Sequence, residues 1–366
     1  MKVSALRTLL LGTLFVIVVM AIYFALIPST YFLRDRHRQK NQTYYLKKSK
    51  DGFSAQLSEH LQNNSSRTKD TVLYMAQDDT KTLVQAAAGI FQKRGVVLFT
   101  MINDAYFDFA ASWCCNTATL GKVHEHVLFL TTDMQTGQHL NTLWPNLTVV
   151  SFNSLQFTGA QEYSKAGYVR MMAARTRFIL HLLEAGVRLL LFEVDCLWLS
   201  DPVPFLLSRQ SEDDILATKV TGQDVTAGGF LLINPTNASV KLWQQLTYLM
   251  DNLHNKLKQK MASVPVSESL NDQQFFSSLV KSRYAGIKVG YLPAKLFPDG
   301  KWYQLPEHAR SAKPQPVIIN NNWVLGDAAK IRRAKAFGHW FWNEDSGVCN
   351  ATALHNLYHK QGLNSL

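Results

Sequence analysis

Residues 192–202 read FEVDCLWLSDP, and the run they close, VRLLLFEVD (187–195), is apolar until it ends on Glu193 and Asp195. A short, continuous apolar run bounded by turn residues is the pattern of a strand buried on both faces. The question is why such a strand finishes on two carboxylates one residue apart. A chain turns where a strand ends, so side chains at i and i+2 can reach one site there. Taken alone, the pair also fits a solvated strand end.

Working outward, the same pattern recurs. GVVLFTMIN (95–103), HVLFLTTD (126–133) and LTVVSF (147–152) are apolar runs that end in polar residues. Between them, 104–121 reads as a helix stopping at Gly121, and 165–186 carries apolar residues at helical spacing up to Gly186. Alternating strands and helices imply right-handed βαβ units and a parallel sheet. Ligands of such sheets sit beyond the carboxyl ends of the strands, where Asn103, Asp133, Glu193 and Asp195 all fall. Further strands are expected at 213–220, 228–235, 287–293 and 316–322, with helices at 236–260 and 270–282. The expected fold class is α/β, a mainly parallel central sheet flanked by helices.

The chain has 366 residues, 47% of them hydrophobic, and a net charge of +11. That length suits one large α/β domain or two small ones. The charge favours an anionic partner, but basic residues beyond 50 are dispersed, which argues against nucleic acid. Residues 8–27, TLLLGTLFVIVVMAIYFALI, form an uncharged stretch just long enough to span a bilayer. The expected organisation is a short tail (1–7), a transmembrane signal-anchor (8–27), a stem or linker (28–93) that is helical over 71–93, a catalytic domain (94–345) and a C-terminal tail (346–366). Arginines and lysines after the anchor would place the C-terminal side in the cytosol. Sequons starting at Asn41, Asn63, Asn64, Asn146, Asn237 and Asn350 argue for a lumenal side. Of the four cysteines, one of the adjacent Cys114 and Cys115 is expected to bond Cys349. The resulting expectation is a single-pass, type II membrane protein of the Golgi with its catalytic portion in the lumen.

RFILHLLEAGVRLLLFEVDCLWLSDP (177–202) resembles the core signature of nucleotide-diphospho-sugar glycosyltransferases of the GT-A fold, in particular glycosyltransferase family 77, which includes plant α-xylosyltransferases. The matching features are Gly186, Glu193-Val-Asp195, Leu197-Trp198 and Asp201-Pro202. AGGFLLINPT (227–236), NDQQFF (271–276) and NNNWVLGDAAKIRRAKAFGHW (320–340) follow in the family's order. The resemblance covers about residues 95–342 and implies a retaining transferase that moves a sugar from a UDP-sugar to a glycan, glycoprotein or glycolipid acceptor. It also implies a divalent cation, Mn²⁺ or Mg²⁺. Oxygen ligands suit these ions, which neutralise phosphates and stabilise a departing diphosphate as Lewis acids.

Carried over residue by residue, Asp195 becomes the principal metal ligand. Glu193 stands where the family usually has Asp and would reach the metal, a metal-bound water or the ribose. The second metal contact is commonly a His six residues before a Gly; here Asn320 holds that place before Gly326, a departure that weakens the expected metal site. Lys330 would meet the diphosphate. Thr100, Asn103 and Tyr106 match the nucleotide-binding first loop, and Arg177 matches a basic position slightly better than Arg175. Gly228 and Gly229 would let the backbone approach the sugar, and Asp272 and Gln273 would be the catalytic or sugar-site residues. Asp201 is expected to anchor the turn before Pro202. Trp302, Trp323 and Trp340 are read as acceptor-stacking rings or core anchors. Two rivals are a degenerate, non-catalytic sugar-binding protein, favoured by Glu193 and Asn320, and a hydrolase, disfavoured because an i, i+2 pair does not give opposed carboxylates.

Overall fold

In the computed structural model, residues 77–361 are described, apart from 153–156 and 210–212. Helix α1 (Gln77–Arg94) lies in the segment expected as linker, and it buries Leu83 and Ala87 completely. Strand β1 (Val97–Ile102) and a 3₁₀ turn (Asp104–Tyr106) lead into α2 (Phe107–Thr117). Then come β2 (Val127–Thr131), α3 (Met134–Leu143), β3 (Thr148–Ser151), α4 (Ala166–Glu184) and β4 (Leu189–Phe192). A short β5 (Leu197–Trp198) precedes β6 (Ile215–Lys219) and β7 (Thr226–Ile233). The chain continues through α5 (Asn237–Leu257), α6 (Asp272–Lys281), β8 (Val289–Tyr291), β9 (Ile318–Ile319) and α7 (Asp327–Phe337), and closes with β10 (Trp342–Asn343), β11 (Val348–Cys349) and α8 (Ala351–Gln361).

Seven strands form one sheet in the order β3-β2-β1-β4-β7-β6-β8. The β3-β2-β1-β4 half is parallel, as the alternating pattern predicts, and β8 runs parallel to β6. Strand β7 is the exception: it pairs antiparallel with both β4 and β6. No helix separates β6 from β7, so the chain returns directly, as a hairpin does. Phe192 at the end of β4 faces Phe230, which brings the start of β7, with Gly228 and Gly229, to the edge where Glu193 and Asp195 emerge.

The central strands are buried along their whole length, β1, β2 and β4 without exception. Local signals set the helix ends. At the end of α4, Gly186 has φ +77°, and the amides of Gly186 and Val187 donate to Leu183 and Leu182, the bond pair that closes a helix through a left-handed residue. Thr236 and Ser239 cap α5 reciprocally. Asn271 caps α6 by accepting from the Gln274 amide, so Asp272 is the first helical residue rather than the cap.

Cys115 bonds Cys349, which fastens β11 to α2, while Cys114 and Cys196 are free and buried. The sequons at Asn146, Asn237 and Asn350 are all exposed. Among the described residues no helix is long and apolar enough to cross a membrane. The expected anchor, 8–27, lies outside the described residues, as do Asn41, Asn63 and Asn64.

Candidate active site

After Phe192 the backbone turns, with the Cys196 amide bonded to the Glu193 carbonyl, and β5 then pairs with β9. Trp198 fixes this turn. Its ring is fully buried and meets Trp113 edge-on at 5.2 Å. Its amide donates to the side-chain oxygen of Asn116, whose own amide donates back to the Trp198 carbonyl. Asn116 thus does for β5 what a neighbouring strand would do. Downstream, Asp201 accepts from the Val203 amide at 2.9 Å and holds the turn at Pro202.

Asp195 is 3% exposed and its Oδ2 accepts from Lys330 Nζ at 2.6 Å across 135 residues of sequence. Burial alone would push the Lys330 ammonium down, but Asp195, Tyr106 and Glu193 outweigh it and hold it above the usual lysine range. The other Asp195 oxygen, Oδ1, is buried without a partner, and so is Asn320 Oδ1. Because Leu197 pairs with Ile319, Asp195 and Asn320 flank paired ends of β5 and β9. Buried acceptors without donors are uncommon in native proteins and call for an explanation.

Glu193 keeps 37% of its side chain exposed and lies 3.7 Å from Arg175. Burial pushes its carboxyl above the usual range and Asp195 adds to this, while Arg175 and Lys330 oppose it. A side chain at position 229 would collide with the Glu193 carboxylate, so the close approach expected for the glycine pair is made here, to a carboxylate. The Gly228 amide donates to Gln273 Oε1 at 3.1 Å, and a Cβ there would lie 3.4 Å from that of Gln273. Asp272, expected as a catalytic carboxylate, accepts at Oδ2 from Arg175 at 2.6 Å, and both are buried. A carboxylate held this way is poorly disposed to act as a free nucleophile. It positions Arg175, and Glu193 is the more open acid.

Tyr106 joins the cluster. Burial pushes its phenol up; the Lys330 ammonium opposes this, and Asp195, Asp327 and Glu193 add to it. Asn103 is fully buried and its amide donates to the carbonyls of Phe157 and Gly159 at 2.9 and 2.7 Å. It anchors a loop, and only its oxygen lacks a partner. Thr100 is buried inside β1, short of the open edge.

Arg177 does not enter the cluster. It pairs with Asp251 on α5, and the arginine beside Glu193 and Asp272 is Arg175. The signal that separates them was present in the sequence. Arg175 stands four residues after Met171, three before Phe178 and four before Ile179, on the buried stripe of α4. An arginine on an apolar stripe must have a buried anion. Of the three tryptophans, Trp340 is core, Trp302 is half-buried beneath Arg310, and Trp323 is exposed.

Among the described residues no three His, Cys, Asp or Glu side chains converge as a metal site. Two oxygens of a different composition, Asp195 Oδ1 and Asn320 Oδ1, are buried and unpartnered, and both are of the donor type that suits a hard cation.

The acidic and basic side chains gather at the carboxyl edge of a mainly parallel sheet, the edge at which α/β proteins bind their ligands. The family model described as "Nucleotide-diphospho-sugar transferase" matches residues 122–334. The chain belongs to that family and is a glycosyltransferase. A UDP-D-xylose:L-fucose alpha-1,3-D-xylosyltransferase of Arabidopsis thaliana is 24% identical over 275 residues, covering 71% of this chain and 72% of the plant protein. A UDP-galactose:fucoside alpha-3-galactosyltransferase of Dictyostelium discoideum is 23% identical over 195 residues, or 51% of this chain and 30% of its own length. Among solved structures, the apo-form glycosyltransferase GlyE of Streptococcus pneumoniae superposes with a TM-score of 0.43 at 15% identity, across 73% of this chain and 64% of that one. The chain therefore spans under two thirds of the bacterial protein.

Proposed function

We propose that this chain transfers a sugar from a UDP-sugar to a hydroxyl of a glycan, glycoprotein or glycolipid, with retention of configuration, in the Golgi lumen on a single N-terminal type II anchor. The observation that carries the reading is the carboxylate Asp195 at the strand end, with one oxygen on Lys330 and the other buried without a partner. Asp195, Glu193 and Asn320 would hold Mn²⁺ or Mg²⁺. When bound, the cation supplies Lewis-acid stabilisation of the departing diphosphate.

The protein's own groups divide the remaining work. Lys330 is the fixed positive charge nearest Asp195, and a diphosphate arriving there gives the ammonium a second anionic partner as negative charge develops on the leaving group. Tyr106 lies beside Lys330 with its phenol kept neutral, and presents a ring for the base. Arg175, held between Asp272 and Glu193, keeps the Glu193 carboxylate over Gly229. Gln273, bonded to the Gly228 amide, sets the wall against which the donor sugar rests. The relatives' names support UDP-sugars as donors, and exposed sequons together with the Cys115–Cys349 bond support an oxidising, glycosylating compartment.

The second reading, a sugar-nucleotide binder without turnover, is favoured by Glu193 and Asn320, the two departures from the family's metal-site pattern. Calorimetric titration with UDP and Mn²⁺, run beside a donor-hydrolysis assay over several UDP-sugars, separates the two. Sugar release supports the transferase; tight UDP binding with no release from any donor supports the binder.

A further inference from the structure

Trp323 lies in the loop 320–326 that joins β9 to α7, between Asn320 and Lys330. Its φ is +63°, in the left-handed region that bulky residues avoid. Such strain persists only where surrounding contacts over-determine it, and it gathers at ligand clamps and active sites. Here the contacts are clear. The indole N–H donates to Asp299 Oδ2 at 2.6 Å, and Lys301 Nζ lies 4.0 Å from the ring centroid. Asp299 also accepts from the amides of Thr221 at 2.9 Å and Lys301 at 3.1 Å. Lys301 Nζ closes the ring of contacts on the Thr221 carbonyl at 2.8 Å.

This clamp has little to do with the core. Trp113, Trp198 and Trp340 fill the interior, whereas Trp323 is 37% exposed and Leu325, two residues on, is 70% exposed. One ring face is taken by an ammonium and the indole's only donor is satisfied, so the ring is held in one orientation while more than a third of the residue stays exposed. Its place is the catalytic edge. Thr221 lies in the turn between β6 and β7, and the first half of β7 carries the glycines that meet Gln273 and Glu193.

We propose that Trp323 is the platform of the acceptor subsite, on which the C–H face of a pyranose ring of the acceptor glycan stacks. A pyranose has an apolar face and a hydroxyl-bearing rim. The indole matches the first, and the polar groups of Thr221, Asp299 and Lys301 border it to meet the second. The inference rests on the transferase reading, since it assigns that enzyme's second substrate.

The test uses saturation-transfer NMR on the full chain with UDP and Mn²⁺ present. The probes are methyl α-L-fucoside, chosen because the plant relative is named for an L-fucose acceptor, methyl β-D-galactoside and methyl β-D-xyloside. At least one glycoside should receive saturation at its ring C–H protons. Trp323→Ala and Trp323→Gly should weaken that binding by about tenfold or more, while UDP affinity by calorimetry stays within about twofold. Glycine tolerates the left-handed conformation, so Trp323→Gly should keep a native circular dichroism spectrum. Glycoside binding that survives in Trp323→Gly, a parallel loss of UDP affinity, or UDP binding with no glycoside signal each overturns the platform. A native chain that does not bind UDP overturns the transferase reading itself.

Discussion

Arg175 and Arg177 stand two residues apart on one helix, and each is paired to a buried or half-buried aspartate, Asp272 and Asp251 respectively. Two residues turn a helix by about 200°, so the pairs face opposite ways. Arg175 looks to the sheet edge and serves two carboxylates, one of them open to solvent. Arg177 looks to α5 and ties two helices together. The chemistry of the pairs is the same; their direction alone separates a site residue from a structural one. It also separates their electrostatic reach. Arg177 acts on imidazoles: burial lowers His181 and His254, and Arg177 lowers both further.

The comparison can be broken most directly at the strand end. Asp195→Asn should lower turnover by about 10³-fold or more, with a native circular dichroism spectrum. Undiminished steady-state transfer in this variant would remove Asp195 from the mechanism. Next, Arg175→Met should cut turnover about 10²-fold and also destabilise the fold, because it leaves Asp272 buried and unpaired. Arg177→Met should destabilise comparably, by about 3 kcal/mol in urea titrations, yet leave turnover per folded molecule unchanged. Equal kinetic effects in the two variants would dissolve the distinction drawn between them.

A smaller change is expected at the departure from the family pattern. Asn320→His should tighten Mn²⁺ about tenfold by calorimetry, since imidazole is a better transition-metal ligand than an amide oxygen. An unaltered affinity would show that Asn320 Oδ1 does not reach the cation.

The smallest effect is a slope with pH. His181 and His254 titrate below the usual histidine value of about 6.5. Below that pH the unfolded chain holds protons that the folded chain does not, so stability is lost as pH falls from about 6.5 through the lowered values. Arg177→Gln lets both imidazoles rise toward the unfolded value, and the slope of unfolding free energy between pH 5 and 7, expected from general titration behaviour at about those limits, should flatten.

Much of this molecule was legible along the chain. Apolar runs located β1 to β4, Gly186 marked the end of α4, and polar residues at strand ends pointed to the edge that carries Asn103, Glu193 and Asp195. The stripe of α4 even held the arginine that faces the sheet edge, because Arg175 keeps company with Met171, Phe178 and Ile179. Other features had no local signature. The reversal of β7 depends on which strand β4 finds as a neighbour. The adjacent cysteines differ only in the side of α2 they face, so the choice of Cys115 waits on the position of Cys349. Asp272 reads as an acid at a helix start until Arg175 is seen against it.

By itself the sequence determined the period of burial, the places where helices and strands stop, and the residue types gathered at the strand ends, because these follow from side-chain hydrophobicity and local backbone preference. Only the tertiary structure decided which charge answers which: Lys330 on Asp195 across 135 residues, Arg175 between Asp272 and Glu193, Trp323 clamped by Asp299 and Lys301. Ion pairs and ring contacts depend on separations of a few ångströms, and distance along the chain carries almost no information about them until the sheet has closed.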